Sequence, residues 1–97
     1  MVTKDDVIEA LKKVVDPELY IDVWTLGLIY NIDLLEEGIL SIKMTFTSVA
    51  CPAGPQLVQD VKEKTEELEG IKETHVEVVF QPPWTPSEDL KAMLGIG

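Results

Sequence analysis

Between Ile39 and Thr47 apolar and polar side chains alternate without a break. Leu40, Ile42, Met44 and Phe46 fall on one side, and Ser41, Lys43, Thr45 and Thr47 on the other. A period of two is the mark of a strand with one face against a core and one face in water. A one-sided strand restricts the chain to architectures in which a second layer covers the apolar face. Gly27 to Leu35 reads as a second strand, and Glu36-Glu37-Gly38 as the turn between them, with glycine available for a positive φ. The two runs predict an antiparallel hairpin.

Helical spacing appears on both sides of the hairpin. Thr3, with Asp6 three residues on, reads as a capping-box variant. Val7, Ile8, Leu11, Val14 and Val15 then form one apolar face. Asp16-Pro17 is expected to end this helix, because the residue before a proline is pushed out of the helical region. Residues 16–26 read as an ordered loop with apolar anchors. A second helix is expected from about residue 54 to Glu69, burying Leu57, Val58, Val61 and Leu68, with Gly70 as its C-cap. Residues 74–81 read as a third strand, with Val76, Val78 and Phe80 on one face. Thr85 is expected to cap a short third helix, with Pro86 in its first position, Glu88 closing the capping box and Gly95 ending it.

The element order is therefore α-β-β-α-β-α. The fold class it predicts is α+β: a two-layer sandwich, a three-stranded sheet with helices on one face, and strand order 1-2-3. If strands two and three are parallel neighbours, the helix between them is a crossover connection.

The 97 residues suit one domain, 1–97. The formal net charge of −10, from 18 acidic and 8 basic residues, opposes binding to nucleic acid and to anionic membrane surfaces. Much of that charge lies in Glu63, Glu66, Glu67 and Glu69, interleaved with Lys62 and Lys64, as on a solvated helix face. No apolar run approaches the roughly 20 residues that span a bilayer, and the N-terminus lacks signal-peptide character. One cysteine cannot form an internal disulfide, which fits a reducing, cytoplasmic setting.

That cysteine, Cys51, lies in Thr47-Ser48-Val49-Ala50-Cys51-Pro52-Ala53-Gly54-Pro55, where the strand pattern stops and a helix pattern begins. Free backbone N–H groups at a helix start favour a thiolate over a thiol. A lone cysteine is also a common small core residue, and local pattern leaves both readings open. The one histidine, His75, begins the third strand, the end opposite the one where strand two delivers Cys51. A Cys51–His75 nucleophilic pair is therefore not expected, and neither zinc-type ligand spacing nor a phosphate loop is present. Asp16-Pro17-Glu18 offers two carboxylates, and an aspartate at a helix C-terminus opposes the helix dipole. Trp24 and Trp84 read as loop residues packed over the core edge or open to a ligand.

Four segments in order complete the pattern: Asp16-Pro17-Glu18-Leu19, Leu26-Gly27-Leu28-Ile29-Tyr30, Met44-Thr45-Phe46-Thr47 with Cys51-Pro52, and Pro82-Pro83-Trp84-Thr85. Together they resemble the PaaD/SufT-like family of metal–sulfur cluster assembly proteins, which includes the eukaryotic cytosolic iron–sulfur targeting subunit. The resemblance covers nearly the whole chain. Val49-Ala50 stands where many relatives carry Pro-Gly, and the Met-Ser or Met-Thr pair after the Pro-Pro-Trp segment is absent.

The resemblance implies an iron–sulfur assembly domain fold and a non-enzymatic role in maturing iron–sulfur proteins, as carrier or adaptor. By motif position it implies Cys51 and Asp16 as cluster ligands, with Thr45, Thr47, Ser48, Glu18 and Trp84 in support. Clusters normally take four ligands, mostly thiolates. A chain with one thiol can only share one, so the implied cofactor is a transient iron–sulfur cluster held between chains. The implied partners are an iron–sulfur scaffold, apo-client proteins or a second copy in a homodimer. The alternative is an adaptor that docks clients without holding a cluster.

Overall fold

The computed structural model describes residues 2–17, 19–47 and 54–95. Three strands, β1 (Ile29–Leu34), β2 (Ile39–Met44) and β3 (Glu73–Val78), form one sheet in the order β1-β2-β3. β1 runs antiparallel to β2, and β3 runs parallel to it. Helices α1 (Lys4–Leu11), α2 (Gly54–Glu66) and α3 (Glu88–Leu94) complete the order expected from the pattern.

Register makes the sheet one-sided. Ile32, Ile42 and Val76 stand in one row across the strands, and Leu34, Leu40 and Thr74 in the next. Leu40, Ile42 and Met44 are fully buried, and join Val7, Leu11, Leu57 and Val61 of α1 and α2 in the core. The opposite face carries the rows Asn31–Lys43–Glu77 and Asp33–Ser41–His75. The turn from β1 to β2 needs glycine for space as well as for conformation. Gly38 has φ +80°, and a Cβ on it would lie 2.7 Å from the Gly70 carbonyl oxygen.

α1 opens with the expected capping box. Thr3 Oγ1 accepts the Asp6 N–H, and Asp6 Oδ2 accepts the Thr3 N–H. The helix ends at Leu11, before Val14 and Val15, which were expected on its apolar face. These two instead enter an extended pairing: Val23 N–H donates to the Val14 carbonyl, and Val15 bridges Asp22. Val15 is consequently 45% exposed.

The other boundaries contract for similar reasons. α2 stops at Glu66 rather than Glu69, because Leu68 and Ile71 donate to the Thr65 and Leu68 carbonyls in tighter turns. β2 stops at Met44 rather than Thr47, and β3 at Val78 rather than residue 81. α3 is capped by Ser87, whose Oγ accepts the Leu90 N–H at 3.1 Å. Thr85 and Pro86 therefore lie ahead of the helix, a correction to the cap expected at Thr85. Gly95 ends α3 with φ +75°.

α1 and α2 pack antiparallel. Val2 and Asp6 line a cavity of about 470 Å³ with Leu68, Glu69 and Gly70, whereas Lys13 shares the next cavity, about 340 Å³, with Lys64 and Glu67. The exit of α1 is thereby aimed toward the end of the fold where α2 begins. Among the described residues, no helix is long and apolar enough to cross a membrane.

Candidate functional site

The loop after α1 is built around Asp16. Its carboxylate is buried, at 2% exposure, and Oδ1 accepts the Leu19 N–H at 3.2 Å. Its main chain donates to the Ile21 carbonyl and accepts the Tyr20 N–H at 2.8 Å. Aspartate followed by proline at the head of a tight turn is what local chemistry favours: the side chain satisfies a backbone donor, and the ring pre-sets the next φ. The aspartate expected at a helix terminus is instead four positions beyond Lys12, the C-cap of α1.

Tyr20 is the strained member of this loop. Its φ is +58°, and the residue is 82% exposed. A side chain in the left-handed region that packs against so little contributes strain without compensating burial. No sequence signal marks this, since tyrosine is not a residue that favours such a conformation.

Main-chain bonds run from this loop to the exit of β2. Asp22 accepts from Leu26 N–H through its carbonyl and from Thr25 N–H through Oδ2, making a compact turn. Leu28 N–H then donates to the Val23 carbonyl, and Thr45 N–H to the Leu28 carbonyl at 2.8 Å. The Trp84 indole N–H donates to the Leu26 carbonyl at 2.7 Å, so the segment after β3 closes over the same turn.

Thr45 departs from the alternation. It was expected on the polar face, but it is 1% exposed, directly after the equally buried Met44. The ladder ends at Met44, and the bond to Leu28 turns Thr45 inward. Thr47 is half-buried. Cys51, Ser48 and Glu18 lie outside the described residues. The structure thus joins three of the sequence-derived positions, Asp16, Thr45 and Trp84, through one hydrogen-bonded scaffold.

His75 sits elsewhere. It is exposed on the polar sheet face, paired in register with Ser41 and 3.3 Å from Glu73 Oε2. It lies three register positions from the Met44–Val78 pair at which β2 ends. Among the described residues, no three His, Cys, Asp or Glu side chains converge to hold a metal.

Charge is unevenly distributed along the chain. Residues 14–28, 45–61 and 79–86 contain no lysine or arginine, although they include Asp16, Glu18, Asp22 and Asp60. These are the segments that supply the Asp16 loop, the β2 exit, the start of α2 and the Trp84 segment. No basic side chain of their own offsets the carboxylates there.

A three-stranded mixed sheet with a β-α-β crossover, and a buried aspartate loop beside it, make a small α+β domain. The chain belongs to the iron–sulfur cluster assembly protein family, whose model matches residues 4–78. It is 44% identical over 96 residues to the Fe-S protein maturation auxiliary factor YitW of Bacillus subtilis strain 168, covering 96% of this chain and 94% of that one. It is 43% identical over 86 residues to the Fe-S protein maturation auxiliary factor SufT of Staphylococcus aureus strain USA300, covering 86% and 98%. The solved structure of TM0487, a conserved hypothetical protein of Thermotoga maritima, matches with a TM-score of 0.86 at 40% identity, covering 98% of this chain and 96% of that one.

Proposed function

We propose that this protein is a non-enzymatic factor in the maturation of iron–sulfur proteins, working in the cytoplasm, with Cys51 as its thiolate and the cluster as its cargo. The observation that carries the reading is the Asp16 carboxylate, buried and fixed by the Leu19 N–H in a loop bonded through residues 23–28 to the β2 exit. Burying a carboxylate is costly unless its environment compensates it, so a buried aspartate here fits a task beyond shaping a turn. Asp16 serves as an oxygen ligand or polar neighbour of the sulfur. In this reading Thr45, Thr47 and Ser48 supply the hydroxyl groups around the sulfur, with Glu18 and Trp84 in supporting roles.

The chain contains one cysteine, and clusters normally take four ligands. The remaining ligands must come from a second copy, a scaffold or an apo-client. Incomplete ligation suits transfer, because a complete set of ligands within one chain would retain the cargo. Anaerobic reconstitution of wild type and Cys51→Ala, read by absorbance and native mass, tests this. Uptake by wild type that is lost in the variant is expected; equal, negligible uptake by both would sink the cluster-holding reading.

A second reading, an adaptor that docks clients without holding a cluster, is favoured by Tyr20. An exposed ring on a hydrogen-bonded loop, in a segment with carboxylates and no lysine or arginine of its own, fits a basic segment of a partner protein. Retained partner capture and retained client maturation in Cys51→Ser would favour the adaptor over the carrier.

A further inference from the structure

β1 is an edge strand, and its outer side is open. Leu35 N–H donates to the Ile39 carbonyl at 2.8 Å, and the register pairs Asp33 with Ser41 and Ile32 with Ile42. Bonded and non-bonded pairs alternate along an antiparallel ladder. Asp33 and Ser41 are therefore a bonded pair, whereas the main-chain groups of Ile32 and Leu34 point away from β2. Among the described residues no main-chain group bonds to them from the outer side. At the other edge of the sheet, Glu66 of α2 takes up the Thr74 N–H at 2.9 Å. An unpaired strand edge is a template for another extended chain.

The flanks of β1 define the chain that fits. On the helix side, Ile8, Trp24, Ile29 and Ile32 line a cavity of about 220 Å³, which Lys4 of α1 also borders. Further along, Val2, Leu34, Leu35 and Ile71 line one of about 320 Å³, and Leu35 is 54% exposed. Asn31 and Asp33 stand on the open face of the sheet. Asn31 Nδ2 donates to Asp33 Oδ2 at 2.8 Å, and none of the ion pairs among the described residues includes Asp33. Residues 28–42 carry Asp33, Glu36 and Glu37 and no lysine or arginine.

We propose that an extended segment of a partner protein, alternating apolar and basic side chains, adds to the outer edge of β1 as a fourth strand antiparallel to it. Main-chain bonds to Ile32 and Leu34 hold it. Its side chains alternate between the faces. Those opposite Ile32 and Leu34 are apolar and fill the two cavities. Those on the open face are basic and meet Asp33, as opposite charges on neighbouring strands do. A second copy fits worse, because its β1 brings another aspartate and no cation to this edge. The surface does not depend on the role of Cys51.

The test is amide hydrogen exchange and peptide titration of the full chain, followed residue by residue by NMR. In the free protein the Ile32 and Leu34 amides are expected to exchange at least about tenfold faster than the Asp33 amide. The probe is a short acetylated peptide of alternating valine and lysine. It is expected to shift the Ile32 and Leu34 amides and to slow their exchange. Glutamate in place of its lysines is expected to weaken binding by about fivefold or more. In this register the N–H groups of the valines face β1. Backbone N-methylation of the valines is therefore expected to abolish binding, and N-methylation of the lysines to preserve it. Asp33→Lys is expected to remove the preference for the lysine peptide.

Slow exchange of the Ile32 and Leu34 amides in the free protein overturns the proposal. If that protection fades on dilution, a second copy holds the edge instead. The absence of shifts along β1 at millimolar probe also overturns it, as does equal binding of the valine-methylated peptide. An unchanged preference for lysine in Asp33→Lys removes the basic partner.

Discussion

The indole N–H of Trp84 donates to the main-chain carbonyl of Leu26 at 2.7 Å, across 58 positions of sequence. A second bond, from the Tyr30 hydroxyl to the Pro82 carbonyl at 2.8 Å, follows the same course. Together they fasten the segment after β3 to β1 and to the turn that precedes it. Trp84→Phe keeps most of the ring area but deprives the Leu26 carbonyl of its donor. A loss of about 1–2 kcal/mol in unfolding free energy is expected, measured by urea denaturation. An unchanged midpoint and slope would show that the bond contributes nothing net.

Asp16 separates structural from chemical roles. Asp16→Ala removes the acceptor of the Leu19 N–H and is expected to cost about 1–3 kcal/mol. Asp16→Asn keeps an oxygen in the same place and should retain more of the stability. If the carboxylate is a ligand, cluster uptake in anaerobic reconstitution falls in Asp16→Asn even where its thermal melt stays close to wild type. Wild-type uptake by Asp16→Asn would remove the ligand role.

Thr65 and Thr74 join the end of α2 to the start of β3. Their hydroxyls are 2.8 Å apart and both residues are fully buried, and Thr65 Oγ1 lies 2.7 Å from the Val61 carbonyl. Thr65→Val leaves the Thr74 hydroxyl without this partner and is expected to cost about 1–3 kcal/mol, whereas changing both to valine is expected to recover much of that. A double-mutant cycle by chemical denaturation measures the coupling. Additive losses would show that the two hydroxyls do not act as a pair.

Tyr20 predicts the opposite sign. Glycine accepts φ +58° without a Cβ clash, and the exposed ring gives little burial to lose. Tyr20→Gly is expected to leave stability unchanged or raise it by up to about 1 kcal/mol, the relief of strain set against the greater freedom of glycine in the unfolded chain. Under the adaptor reading the same variant loses partner capture. A marked drop in melting temperature would show that the ring stabilises the fold after all.

Much of the fold was legible because its signals are local. Alternation from Leu40 to Met44 marked β2 and its buried face, and Thr3 with Asp6 marked the start of α1. Element ends were less legible, since they depend on which distant groups take up the next hydrogen bond. Val14 and Val15 keep helical spacing, yet pairing with residues 22–23 draws them out of α1. Thr45 keeps the strand period, yet the Leu28 carbonyl turns it into the core.

By itself, the sequence determined the order of elements, the one-sided sheet, the acidic character and the limit of one thiol per chain. These follow from periodicity, turn chemistry and counting. Only the tertiary structure decided that Asp16 is a buried turn residue, that Tyr20 stands strained and exposed, and that Phe46 rests on Gly54. The Asp16 and Tyr20 geometry is set by bonds within one loop, and the Phe46 contact by how two elements eight residues apart in sequence meet. No local rule specifies such a meeting, because close packing of the whole core decides which backbone groups remain to be satisfied there.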